Sequence, residues 1–284
     1  MRTLLHTVVT VWLACLFSAQ TSAEQRVYTV GIVPQFEAHT LHAIWHPLLD
    51  RLEQETGAHF SILGSTNIPA FERDLAHGKF DFAYMNPYHL IVANEQAGYV
   101  PLVRDHGRQL QGVLVVKKGS TYKSPKDLQG KTIAFPAPNA LGASLQMRQE
   151  LTDIFGITFE PRYVKTHDSV YLNVLLNEAD AGGGVQKTLN QQRPEYQSAL
   201  EVIYRTKKVA PHPFCASPTV PENLRSAVTT AFMKFGESES DRELLSNIPI
   251  KRIGLATLKD YQQLKDINLS RFYVSQSPLD EAAK

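Results

Sequence analysis

The sequence predicts a two-lobed α/β fold, each lobe a mainly parallel sheet flanked by helices, with a ligand cleft between the lobes. Three observations predict it. Strand-like and helix-like stretches alternate along the chain, the pattern of βαβ units. One order of elements occurs twice: 102 residues separate Pro34 from Pro136, and 99 separate Asp81 from Asp180. A Pro-rich stretch, "APHPFCASPTVP", stops any helix and leads the chain back toward the first lobe. In open α/β sheets ligands sit at the carboxyl ends of the strands, so two such edges facing each other make a cleft.

The chain opens on a secretory leader. Arg2 precedes an apolar run, Thr7–Phe17, and small and polar residues follow, with a cut expected after Ala23. The run is short for a membrane span. Trp12, Leu13 and Ala14 before Cys15 fit a lipoprotein cut poorly. The exported chain is then roughly 260 residues long, enough for one large core or two moderate ones. A formal net charge of +1 gives no nucleic-acid footprint and no polybasic membrane patch. One cysteine remains after cleavage, Cys215, and it makes no internal disulfide.

The first copy starts with the strand "VYTVGIV", ending at Pro34. A helix over about His39–Thr56 follows, stopped by Gly57. The strand "HFSIL", a helix around Pro69–His77 and the turn-Asp-strand "GKFDFAYMNP" complete it. The second copy starts with "KTIAF", ending at Pro136, with a helix over about Ala140–Phe155 stopped by Gly156. The strand "FEPRYVK", a helix over about Ser169–Asn177 and "EADAGGGVQ" repeat the order. "GVLVVKKGS" is expected to carry the chain between lobes. Residues 24–112 with 213–284 then form lobe one, and residues 113–212 form lobe two. Helical patches at Glu222–Phe235 and Thr257–Asp266 finish lobe one.

The candidate site follows from "AFPAPNALGAS". The first amides of a helix lack internal partners and carry the positive end of its dipole. Ala140, Leu141, Gly142 and Ala143 are small enough, as a group, to let a ligand approach that backbone, with Asn139 as N-cap and Ser144 adding a hydroxyl. A bulky residue at Gly142 is expected to block the approach. Gln35 and Phe36 start a helix at the mirror position in lobe one. His167 and Asp168 lie at a strand end before a helix; Asp168 or Ser169 is the expected cap, and an imidazole there donates to an oxyanion. Tyr84, Asn86 and Tyr88 in "YMNPYH" offer an apolar wall with polar tips, and Gln186 reaches the cleft mouth past the "GGG" of 182–184.

Other patterns carry less. "GKT" at 130–132 lacks the glycine that a phosphate loop needs five positions earlier, where Pro125 stands, and Gly130 ends a short helix begun at Ser124-Pro125. His39, His42 and His46 share a helical face opposite Leu41, Ile44, Trp45, Leu48 and Leu52, and read as a solvated stripe. Cys215 with His212 is the one pair that would serve an enzyme on this scaffold.

The order and spacing of "GKFDFAYMNPYHLIVA", "KSPKDLQGKTIAFPAPNALGAS", "THDSVYLNVLLNEADAGGGV" and the Pro-rich return with "VPENLRSAV" resemble the periplasmic phosphonate/phosphite-type solute-binding proteins, of type II periplasmic-binding-protein fold. The resemblance spans about Tyr28–Pro221. It implies a venus-flytrap domain that closes on a small ligand and passes it to a membrane transporter. The chain is read as a periplasmic monomer without cofactor or metal that delivers an oxyanion to an ABC-transporter permease, with a less charged organic molecule as the other ligand class. Such relatives bind phosphonate oxygens with a Ser-Thr-Ser run where this chain has Ala140, Leu141 and Gly142, and keep a histidine at the position of His167; those that take aminophosphonates place an acidic residue at that of Gln186. Related proteins also dock on a membrane sensor histidine kinase, so import and sensing both stay open, with phosphonate-, phosphite- or phosphate-like ligands.

Overall fold

The repeated aspartate closes both copies in the same way. In the computed structural model, which describes residues 26–248 and 250–274, Asp81 Oδ2 accepts the Thr29 amide at 2.9 Å and Asp180 Oδ2 accepts the Thr132 amide at 3.0 Å. Each bond ties the first strand of a copy to the turn before its third strand. The leader expected at residues 1–23 lies outside the described residues, as does the end of the chain beyond residue 274.

The first copy comprises β1 (Val27–Ile32), α1 (Ala38–Thr56), β2 (His59–Leu63), α2 (Ile68–Ala76), β3 (Phe82–Tyr84), α3 (Pro87–Ala97) and β4 (Val100–Asp105). The chain crosses over and forms β5 (Gly112–Lys117), then β6 (Thr132–Phe135), α4 (Gln146–Asp153), β7 (Glu160–Tyr163), α5 (His167–Leu175), β8 (Ala181–Val185), α6 (Gln186–Asn190), α7 (Pro194–Ala199) and β9 (Leu200–Arg205). It returns as β10 (Pro213–Ala216), α8 (Glu222–Phe235), α9 (Glu239–Asn247) and β11 (Ile253–Leu255).

Strand order is β11-β4-β10-β3-β1-β2 in one sheet and β7-β6-β8-β5-β9 in the other. The cores of the two orders superimpose element by element. β1 pairs in parallel with β2 and β3, and β6 with β7 and β8. The other half of each sheet is antiparallel, so both sheets are mixed: β10 opposes β3 and β4, and β5 opposes β8 and β9. In each sheet the inner antiparallel strand, β10 or β5, is the one that has just arrived from the other half, and β11 adds a further antiparallel strand at the edge of the first sheet. "GVLVVKKGS" therefore belongs to the second sheet as β5, and the crossings proper are residues 106–111 and 206–212. They run side by side, with Leu110 and Val209 exchanging both backbone hydrogen bonds at 2.9 and 3.0 Å.

α1 stays helical through Pro47 and ends at Gly57, whose φ of 69° is the left-handed cap expected of glycine. Trp45, Leu48, Leu49 and Leu52 are buried, leaving His39, His42 and His46 exposed. The helix expected around Ser124 is a short 3-10 turn with a Ser124–Asp127 capping box. The patch at Thr257–Asp266 splits into a turn over Leu258–Tyr261 and a short helix over Gln263–Asp266.

A third connection joins the halves. Arg148 of α4 donates to the Phe272 carbonyl at 2.8 Å, and the Val274 amide donates to Asn139 Oδ1 at 3.0 Å. Ala140, Leu141, Ala143 and Leu145 belong to the same hydrophobic cluster as the first sheet's Trp45, Phe82 and Phe214. The helix start after β6 is thus packed where the two sheets meet.

Candidate functional site

The segment after β6 starts its helix later than the sequence suggests, and with a wide first turn. Ala140 occupies the cap position and has no capping side chain. Its carbonyl accepts from the Ser144 amide at 2.7 Å and from the Leu145 amide, five residues on, at 3.1 Å. Such wide turns favour functional positions. The amides of Leu141, Gly142 and Ala143 donate no hydrogen bond among the described residues, although all three residues are buried. Buried amides are almost always paired, so three free ones together mark a place where a ligand or water is expected.

Asn139 is therefore not the cap. Its side-chain amide donates to Glu72 Oε2 at 3.0 Å and to the Val274 carbonyl at 2.8 Å, and its own carbonyl accepts from Asn86 Nδ2 at 3.2 Å. Ser144 is fully buried and its hydroxyl accepts from Arg148 Nε at 3.2 Å. Both residues hold the helix start in place without reaching the cavity beside it.

That cavity is small, about 20 Å³, room for roughly one water-sized group. Residues 140–143 form one wall; Asn86, Gln35, His167 and His212 supply polar groups around it. His167 is the first residue of α5. Thr166, rather than Asp168 or Ser169, caps that helix, its hydroxyl accepting from the Ser169 amide at 3.1 Å. The strand ends two residues earlier than the sequence implies, at Tyr163 rather than Lys165, and the cap lies correspondingly further back. His167 is 6% exposed and its Nδ1 has no hydrogen-bond partner. Burial lowers its pKa to about 4, against the opposing pull of Asp168. His212 is lowered to about 3 by burial, then by the charges of His89, Lys187 and His167. Gln35 Nε2 lies 3.0 Å from His212 Nε2 and donates to it when that nitrogen is the unprotonated one. Both imidazoles are neutral at neutral pH.

Lys187, in the first turn of α6, supplies positive charge nearby. It is half-buried and makes no hydrogen bond or ion pair among the described residues. Its Nζ lies 5.4 Å from the centroid of the Phe36 ring, which follows β1, so the contact spans the two halves. Burial and then the Arg108 charge lower its pKa to about 8.

A larger cleft of about 690 Å³ adjoins the small cavity, sharing Gln35 and Ile68 with it. Its walls come from the carboxyl ends of β1, β2, β6 and β7. Lys165 lines it with a φ of 75°, a conformation uncommon for a residue with a Cβ.

The structure thus gathers Gln35, Asn86, Ala140, Leu141, Gly142, Ala143 and His167 around the small cavity, and places Phe36 on the larger cleft. Tyr84, Tyr88, Asp168 and Gln186 line neither. Tyr84 is buried between Trp45 and His212, ring centroids 4.9 and 5.4 Å away, and Tyr88 packs on Tyr273 at 5.4 Å. Asp168 accepts from Gln192 Nε2 at 2.6 Å. Gln186 is held by Arg205 and by Asn190 on its own helix. Cys215 is fully buried inside β10, and burial raises its thiol pKa, so it lacks the exposure and thiolate character of a nucleophile. The sequence reading took His212 only as a partner for Cys215 and passed over Lys187; the one clue to a cavity role for His212 is its place at the end of a crossing, where both halves converge.

Among the described residues, no cluster of three or more His, Cys, Asp or Glu is arranged to hold a metal, and no helix is long and apolar enough to cross a membrane. Residues 30–261 match the family model described as "ABC transporter, phosphonate, periplasmic substrate-binding protein". The chain is 21% identical over 237 residues to the phosphate-import protein PhnD of Mycolicibacterium smegmatis, covering 76% of this chain and 74% of that one. Two solved structures share the two-lobed periplasmic-binding-protein fold. A binding-protein component of an ABC phosphonate transporter from Pseudomonas aeruginosa superimposes with TM-score 0.78 at 15% identity, covering 92% of this chain and 93% of that one. PhnD1 from Prochlorococcus marinus, solved in complex with methylphosphonate, gives TM-score 0.79 at 17% identity, covering 88% and 100%. The chain belongs to the family of phosphonate-type periplasmic substrate-binding proteins of ABC transporters.

Proposed function

We propose that this chain binds a phosphonate- or phosphate-type oxyanion between its two lobes and presents it to an ABC-transporter permease. The observation that carries the proposal is the meeting of three free buried amides, at Leu141, Gly142 and Ala143, with the unpartnered Nδ1 of buried His167 around one cavity. Helix-start amides favour negative charge. The neutral imidazole keeps one N–H for an anion oxygen without adding charge to an empty site. Lys187, with no anionic partner of its own, supplies the net attraction. The ligands named for the Mycolicibacterium relative and seen in the Prochlorococcus structure, phosphate and methylphosphonate, are of this class. The paired crossing strands at Leu110 and Val209 form the hinge, and a ligand that touches both lobes favours the closed arrangement over the open one.

Titration calorimetry with phosphate, phosphite, methylphosphonate and sulfate tests this. At least one phosphorus oxyanion is expected to bind one to one. At 100-fold excess over its Kd it should add about 2.7 kcal/mol of apparent stability. Affinity is expected to fall as pH rises through about 8, where free Lys187 loses its proton. Lys187→Met should weaken binding about tenfold at pH 7 and flatten that pH dependence, roughly the size of one lost partly buried charge interaction. Absence of binding to every phosphorus oxyanion between pH 6 and 8 overturns the proposal.

A further inference from the structure

We infer that the physiological ligand is an oxyanion carrying a bulky apolar substituent, with one head-group oxygen in the helix-start cavity and its body in the adjoining cleft. This rests on the oxyanion reading of the cavity and goes one step beyond it. The cavity beside the free amides has about 20 Å³, enough for one oxygen-sized group and too little for a substituent as well. The neighbouring cleft has about 690 Å³, the size of a site for a whole organic molecule. Gln35 and Ile68 line both, which sets the two side by side.

The walls of the cleft decide the substituent's chemistry. Ile32 and Ile62 line it from β1 and β2, Phe36 from the loop after β1, Leu41 from α1, Pro136 from the loop after β6, and Tyr163 from β7. A small hydrated anion would leave these walls against water, whereas an apolar body removes their surface from it. An amine-bearing substituent would find one lining carboxylate, Glu37, which is exposed, and one lining lysine, Lys165, of the same sign as the amine. Lys187, against Phe36 of the cleft wall, suits an anionic head group.

The test is a ligand series on the full exported chain by calorimetry: phenylphosphonate, methylphosphonate, 2-aminoethylphosphonate and inorganic phosphate. Phenylphosphonate is expected to bind about tenfold or more tighter than methylphosphonate, on the scale of the apolar area a ring adds, and 2-aminoethylphosphonate no tighter than methylphosphonate. Gly64 borders the cleft, and a Cβ there meets nothing within 4 Å. Gly64→Trp should fill the cleft, fold normally by melting temperature, and bring the phenyl-to-methyl affinity ratio to about one. If methylphosphonate binds as tightly as phenylphosphonate, or if Gly64→Trp keeps the full preference, the inference fails and the oxyanion reading stands. If none of the four binds, the oxyanion reading itself fails and takes the inference with it.

Discussion

Gly183→Ala is expected to destabilise the protein by about 3 kcal/mol or more, at the upper end of overpacking effects, and to abolish oxyanion binding. A Cβ on Gly183 of β8 would lie 2.0 Å from the carbonyl oxygen of Ala143 and 2.6 Å from the Phe135 ring. The first contact is with backbone, so no side-chain rotation relieves it. Relief requires moving the turn that carries the free amides of Leu141, Gly142 and Ala143, which also removes the amides from His167. The melting temperature should fall by roughly 6–12 °C for a chain of this size. Gly64→Ala is the control, since nothing lies within 4 Å of a Cβ there, and it should stay within about 0.5 kcal/mol of the parent. Thermal melting and calorimetry on both variants check this. A Gly183→Ala protein that melts within 2 °C of the parent and still binds phosphate would mean that β8 does not position the helix start.

The glycines at 182–184 show what was legible in the sequence and what was not. Their run invites two readings, close approach of a ligand or tight packing. The structure gives packing for all three: Gly182 faces Val170 and Val174, Gly183 faces Ala143, and Gly184 faces the Tyr171 hydroxyl. Those neighbours come from other elements, and local pattern carries no information about them. Gly142 reverses the same way. Read as an open approach, it would place a Cβ 3.2 Å from the Gly112 nitrogen, so a bulky residue there disturbs packing as well as ligand access.

The echo of Pro34 with Pro136 and Asp81 with Asp180 was legible because the same residue types recur at almost the same spacing, although the bonds the aspartates make to Thr29 and Thr132 reach 52 and 48 residues along the chain. Asn139 was misread because no such repeat reports its partners. Its type and position suit a cap, but Glu72 and Val274, 67 and 135 residues away, engage its side chain instead. Tyr84 and Tyr88 sit near a strand end as expected, yet aromatic neighbours from α1, the second crossing and the C-terminal segment cover them. Lys187 stands next to Gln186, the position to which the family resemblance draws attention. One residue of helical rotation separates a side chain tied down by Arg205 from one aimed across at Phe36.

Acidification should weaken the ligand-free protein well before Asp74 and Asp260 titrate. His167 and His212 have folded pKa values of about 4 and about 3, against about 6.5 in the unfolded chain. Below pH 6.5 the unfolded state therefore binds protons that the folded state refuses, and stability falls as pH falls. The loss continues until about pH 4 for His167 and about pH 3 for His212. Each histidine contributes about 1.4 kcal/mol per pH unit inside its window, so pH 7 to pH 5 should remove roughly 4 kcal/mol from the two together. The carboxylates of Asp74 and Asp260 are held below their ordinary range, so their part of the acid loss comes at lower pH and leaves the interval from 6.5 to 5 to the imidazoles. His167→Gln and His212→Gln should each remove about half of the slope in that interval, and an unchanged slope in the double variant would exclude these residues as its cause. The reason for the slope is also the reason for the site. Protonation of both rings beside Lys187 would gather three positive charges around a cavity with no carboxylate in its lining. An oxyanion bound there removes that penalty, so binding of phosphate or methylphosphonate at pH 5–6 should be accompanied by proton uptake, read as a dependence of the calorimetric heat on the ionisation enthalpy of the buffer. Binding without proton uptake in that range would place the anion away from both imidazoles.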